Sequence, residues 1–197
     1  MMEQGYKKIF WGFLITVFDI NIGPINILPD FIGYYIIGSG IYIIYEKFEN
    51  NNLKTANTKA NFLMCYSLII GIIKYAINSN ILGGGLYEHF VYIIIEFILT
   101  IFISSVVLFM AFKIISGTID LYLHMELKEE AILLQNKQKN YTVLTIIGLI
   151  LITISLNISN EYFITAATIY LIIVNLYFAA IIKNIKWDSG WDSGDVC

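Results

Sequence analysis

The sequence predicts an all-α fold: a polytopic integral membrane bundle of about six transmembrane helices. Three observations predict it. Of 197 residues, 58% are apolar and only 14% are charged, whereas soluble domains run at roughly 45–50% and about 25%. The apolar residues fall in runs close to the ~20 that a bilayer core about 30 Å thick requires. The basic residues, all of them Lys, collect with one exception at alternate ends of those runs. Such a composition excludes a disordered chain, a basic nucleic-acid-binding domain and an ordinary solvated enzyme. The lipid bilayer is the expected partner, and nucleic acid is not.

The first candidate span covers about 8–27. Lys7 and Lys8 precede it as they would in a signal peptide. No small-residue cleavage site follows and Asp19 interrupts the run, so the reading is an uncleaved span. The second covers about 29–46. Gly23-Pro24 and Leu28-Pro29-Asp30 join the two, so their shared end is irregular. A hairpin that dips into the membrane and returns is the alternative to two full crossings. Irregular backbone survives in lipid only where protein or water covers it. Gly33 and Gly40 are seven apart, on one face of the second span, where small residues let helices approach closely.

The remaining spans are read at about 61–78, 89–115, 142–159 and 162–182. Residues 116–140 mix acids with Lys around Leu123, Leu127 and Leu134, as a helical extension of the fourth span followed by a turn. Residues 1–186 thus form one transmembrane domain. The tail 187–197 holds Trp187-Asp188-Ser189-Gly190, repeated at once as Trp191-Asp192-Ser193-Gly194. It reads as a disordered terminus or as a docking tail with Trp anchors.

Eleven of the twelve Lys fall on one side of a six-span bundle, leaving only Lys74. The positive-inside rule makes that side cytoplasmic and puts both termini there. Frequent Ile, Asn, Tyr and Lys suggest AT-rich codons, hence a bacterial cytoplasmic membrane. The net charge of −3 implies no charged partner.

Ionisable groups inside spans cost about 2.5–3.5 kcal/mol on insertion scales and mark candidate sites. Asp19, Lys74 and Glu96 qualify. Helical rise puts all three in the middle or outer half of the membrane, where Lys74 would pair with either acid. Snorkelling of Lys74, or a pair that only fixes packing, is the competing reading. In the fourth span His89, Tyr92, Glu96, Thr100 and Ser104 share a wedge of roughly 120°. That stripe would line a water-filled path or hydrogen-bond between helices. An external cation site of Asp19, Asn26 and Asp30 lacks any His or Cys spacing to support it. Gly83-Gly84-Gly85 lacks the Lys-Ser/Thr and preceding strand of a phosphate loop. Cys65 and His89 fall at opposite ends of their spans, so a cysteine hydrolase would need His124 to fold back onto Cys65.

Phe10-Trp11-Gly12-Phe13, Phe18-Asp19-Ile20-Asn21-Ile22 and Ile27-Leu28-Pro29-Asp30-Phe31-Ile32-Gly33-Tyr34 resemble the opening of an uncharacterised Firmicutes family of small multi-spanning membrane proteins. The resemblance covers about a fifth of the chain, and Leu-Pro-Asp-Phe-Ile-Gly-Tyr is its specific part. It implies that Asp19, Pro29, Asp30 and Gly33 form one unit. It lends no catalytic residue. The expectation is therefore a non-enzymatic accessory or regulatory membrane component with no cofactor, partnered by a membrane or cytoplasmic protein or by its own copies. A small ion or solute transporter or channel using Asp19, Lys74 and Glu96 is the alternative, and an intramembrane cysteine hydrolase the remote one.

Overall fold

The computed structural model describes residues 2–18, 21–22, 25–26, 30–78, 90–158 and 161–185. The fold is an all-helical bundle of six helices: α1 (Met2–Val17), α2 (Asp30–Phe48), α3 (Asn51–Asn78), α4 (Phe90–His124), α5 (Lys128–Ile158) and α6 (Glu161–Lys183). A two-residue antiparallel ladder, β1 (Asn21–Ile22) with β2 (Ile25–Asn26), pairs Asn21 with Asn26 and Ile22 with Ile25 between α1 and α2. Each helix packs on its sequence neighbours, and α6 closes the ring against α1. Among the described residues, four helices are long and apolar enough to cross a membrane, within Asn51–Ile73, Ile98–His124, Lys128–Ser155 and Tyr162–Lys183.

The first pair differs from its expected length. The span read over 8–27 ends as a helix at Val17, because the following residues hold Asp19, Asn21 and Gly23-Pro24, which favour turns. The two helices of this hairpin touch through glycines. A Cβ on Gly5 would stand 2.9 Å from Gly40 O, and one on Gly40 would stand 2.5 Å from Gly5 O. A Cβ on Gly12 would stand 2.7 Å from Gly33 O, and one on Gly33 would stand 2.9 Å from Gly12 O. Two reciprocal glycine pairs, seven residues apart on each helix, let the backbones meet without side chains between them.

The connections at the termini end of the bundle are tight. Glu49 closes α2 at φ 47°, and Asn50 Oδ1 then accepts the Asn52 and Leu53 amides at 2.8 and 3.1 Å, capping α3. Asn50 Nδ2 and Asn52 Nδ2 both donate to Asp120 Oδ2 of α4, at 3.0 and 2.7 Å, and Lys113 Nζ donates to Asn52 Oδ1 at 2.8 Å. The extension read over 116–140 is a helical hairpin. Helix α4 runs on to His124, Glu126 turns at φ 61° with Leu127 N donating to Tyr122 O at 2.9 Å, and α5 starts at Lys128. Of its leucine stripe Leu134 is buried and Leu123 is exposed.

Four Lys side chains mark one level of the bundle. Lys8 Nζ donates to Ser39 Oγ at 2.9 Å, Lys183 sits 5.9 Å over Phe10, and Lys59 and Lys113 flank the Phe109 ring at 5.9 and 5.6 Å. From this level to their far ends α3, α4, α5 and α6 extend about 29, 35, 29 and 33 Å. From Lys8 to Val17, α1 extends only about 14 Å. The helical part of the first pair therefore reaches about half the depth of the other four.

Candidate functional site

Below the hairpin's end the ring interior is solid. Tyr6 Oη and Thr118 Oγ1 lie 2.8 Å apart, buried, linking α1 to α4. Ile9, Ile37, Ile41, Ile114 and Ile182 are buried above them. A layer of aromatic rings follows, with Phe13 and Tyr141 set 4.3 and 5.1 Å from Phe178. These residues alternate at helical spacing, so their aliphatic and aromatic faces converge on the axis.

Beyond the aromatic layer the ring opens into a cavity of about 180 Å³. Its walls are Phe13, Thr16 and Val17 of α1, Tyr34 of α2, Ile103, Ser104, Val107 and Leu108 of α4, Tyr141, Thr145 and Leu149 of α5, and Leu171 and Asn175 of α6. Helical rise puts Tyr141 about 3 Å and the other wall residues about 8–18 Å from the Lys level, so the space reaches the mid-depth of a 30 Å core. Among the described residues, α1 and α2 end at this level while α4, α5 and α6 continue past it.

The polar groups in the wall have assigned directions. Thr16 Oγ1 donates to Phe13 O at 2.9 Å, and Thr145 Oγ1 donates to Tyr141 O at 2.8 Å. Both hydroxyls therefore offer only lone pairs to the cavity. Tyr141 is fully buried, and its Oη, beside Thr145, is closed off from the cavity. No wall residue is charged.

Of the sequence-read candidates, Ser104 lines this cavity among the described residues. Asp19, His89, the loop 79–88 and the Trp187–Cys197 repeat lie outside the described residues, as do the side chains of Lys74, Tyr92 and Glu96. On the backbone, a Cβ on Gly117 would stand 2.7 Å from Leu53, which sets the register of α4 on α3. Carried along both helices, that register brings Lys74 and Glu96 to one level. Ser104 of the predicted stripe lines the cavity; Thr100, one turn on, is exposed. Asp30 opens α2 one turn before Tyr34. Gly33 and Gly40 are the close-approach residues described above, and Gly5 and Gly12 are their partners. Cys65 is exposed on α3, and helical rise from the Leu53–Gly117 contact sets it about 28 Å along the axis from His124. Among the described residues no three His, Cys, Asp or Glu side chains group to hold a metal.

Sequence reading missed Tyr34, Tyr141, Thr145 and Asn175. Asn175 was findable, as the only amide or charged residue between Tyr162 and Ile182. Tyr141 and Thr145 resemble ordinary membrane-helix residues, and only the ring arrangement sets them opposite Thr16 and Ser104.

No protein-family model matches the chain, and no curated protein or solved structure is significantly similar to it.

Proposed function

We propose that this chain is a non-enzymatic, multi-pass protein of a bacterial cytoplasmic membrane that passes a small polar solute through its ring of helices. Both termini would lie in the cytoplasm, where positively charged connections are retained. The single observation behind the reading is the mid-depth cavity with hydroxyl and amide groups in its wall. Solute sites of transporters lie at this depth. The accessory reading rests on absent motifs, whereas the cavity is a positive feature that transport uses. The test is reconstitution into liposomes with fluxes of K⁺, glycerol and urea followed by dye or light scattering. Rates above those of protein-free liposomes support transport, and equal rates for every solute overturn it.

The accessory reading keeps one observation of its own. Leu123, Ile132 and Leu133 are exposed on the α4–α5 hairpin, about 9–15 Å outside the Lys level and so beyond the lipid core. Exposed apolar groups there fit a cytoplasmic protein partner. Under this reading a partner co-purifies with the wild type and is lost from Ile132→Glu and Leu133→Glu. Unchanged co-purification rejects that surface.

A further inference from the structure

We infer that the outer seam between α3 and α4 binds an anionic phospholipid, its phosphate held between Lys59 and Lys113 and an acyl chain laid along the aromatic rings beside them. The inference is independent of transport and requires only that the Lys level meets a membrane surface.

Charge comes first. Lys59 Nζ and Lys113 Nζ lie 5.9 and 5.6 Å from the centre of the Phe109 ring, so at most about 12 Å separates them. Both side chains are half-buried. Among the described residues neither is bonded to a carboxylate, whereas Lys7 is paired with Glu3 at 2.7 Å. Lys113 Nζ donates one proton to Asn52 Oδ1 at 2.8 Å, which orients its head and leaves two protons; Lys59 keeps three. Asp120 is the carboxylate linked to this pair through Asn52, and its Oδ2 already accepts from Asn50 and Asn52 at 3.0 and 2.7 Å. Two ammoniums that share one ring without a counterion attract a phosphate, whose oxygens accept from Lys as from a point charge.

Apolar surface comes second. Phe109 lies one turn from Lys113 toward the membrane interior and is 42% exposed. Phe62 lies one turn from Lys59 in the same direction, meets Phe102 of α4 edge-on at 6.4 Å and stacks on Tyr66 at 6.4 Å. Phe62 and Phe102 remain 43% and 53% exposed despite that contact. Helical rise sets Phe102 about 10 Å deeper than Phe109, so the rings form a strip from the ammoniums toward mid-membrane. Ser105 lies within the strip, and its hydroxyl donates to Ile101 O at 2.8 Å, so its proton is already bonded. A free phosphate would use the charges but not the rings, and an uncharged lipid the rings but not the charges. Basic clefts between membrane helices bind the headgroups of anionic lipids. At the same level Lys8 is turned to Ser39 and Lys183 to Phe10, so the α3–α4 seam is where two cations converge.

The experiment is native mass spectrometry of the delipidated full chain in mild detergent, titrated with phosphatidylglycerol, phosphatidylcholine or inorganic phosphate. Wild type should retain phosphatidylglycerol in preference to phosphatidylcholine. The double variant Lys59→Gln/Lys113→Gln should bind phosphatidylglycerol about thirtyfold more weakly, as two surface Lys at ~1 kcal/mol each imply. Lys59→Gln alone breaks no hydrogen bond among the described residues, so it keeps the test valid if the double variant fails to fold; it should lose about fivefold. Lys137→Gln/Lys139→Gln removes the same charge from α5 and should leave binding unchanged. Equal retention of the two lipids overturns the headgroup assignment. An equal loss in the α5 variant overturns the seam as the site. Inorganic phosphate bound with the same dependence on Lys59 and Lys113 overturns the lipid as the occupant.

Discussion

At the residue scale, the glycines divide by what surrounds them. A Cβ on Gly12 would meet Ile37 Cγ1 at 2.6 Å and the Gly33 and Ile37 backbones at 2.7 and 2.9 Å, and backbone cannot move aside as a side chain end can. Gly12→Ala should destabilise by about 1–3 kcal/mol, as overpacking does. Gly71 has nothing within 4 Å of its added methyl. Gly71→Ala should be neutral or stabilising by up to ~1 kcal/mol, through helix propensity alone. Thermal unfolding in mild detergent compares the two, and equal shifts would remove the close-approach account. Glu126 holds φ 61°, a conformation that a Cβ resists. Glu126→Gly should raise the unfolding temperature, by a gain of up to ~1 kcal/mol.

At the element scale, the turn between α2 and α3 joins two functions in one residue. Asn50 caps α3 through Oδ1 and ties the turn to Asp120 through Nδ2. Asn50→Ala should lose about 0.5–2 kcal/mol for the cap. Asn50→Asp keeps the capping oxygen but sets a carboxylate against Asp120. It should cap α3 and yet lose stability relative to wild type, recovering in high salt as like charges are screened. A salt-insensitive Asn50→Asp would show that the Asp120 link contributes nothing. The hairpin of α1 and α2 depends on its glycines in a different way. It carries little helical depth of its own, so its position is set by the backbone contacts at Gly5, Gly12, Gly33 and Gly40 and by Phe13 packing on Phe178.

At the scale of the whole molecule, sidedness is the first prediction. In a protein with Cys65 and Cys197 replaced, a cysteine at Gly84 should react with a membrane-impermeant maleimide in intact cells. One at Glu126 should react only after the membrane is opened. The reverse pattern would invert the proposed orientation. Ring closure is the second feature of this scale. Helix α6 returns to α1, so five of the six helices contribute walls to one interior space.

Composition, run length and Lys placement were enough to specify an all-helical bundle, its helix order and the level at which its charges collect. These properties are local or one-dimensional: each helix satisfies its own backbone, and lipid selects apolar runs regardless of their neighbours. The glycines at 33 and 40 were legible for the same reason, since seven-residue spacing fixes a face. Their partners at 5 and 12 were not singled out, because pairing requires the antiparallel register of two helices. The cavity was legible least. Single hydroxyls on α1, α4 and α5 mean nothing alone, and Tyr141 is set against them only by the closing of the ring. Periodicity along one chain defines which side of a helix is polar. Where two helices stop short and three continue, and so where a space is left between them, is decided by packing in three dimensions.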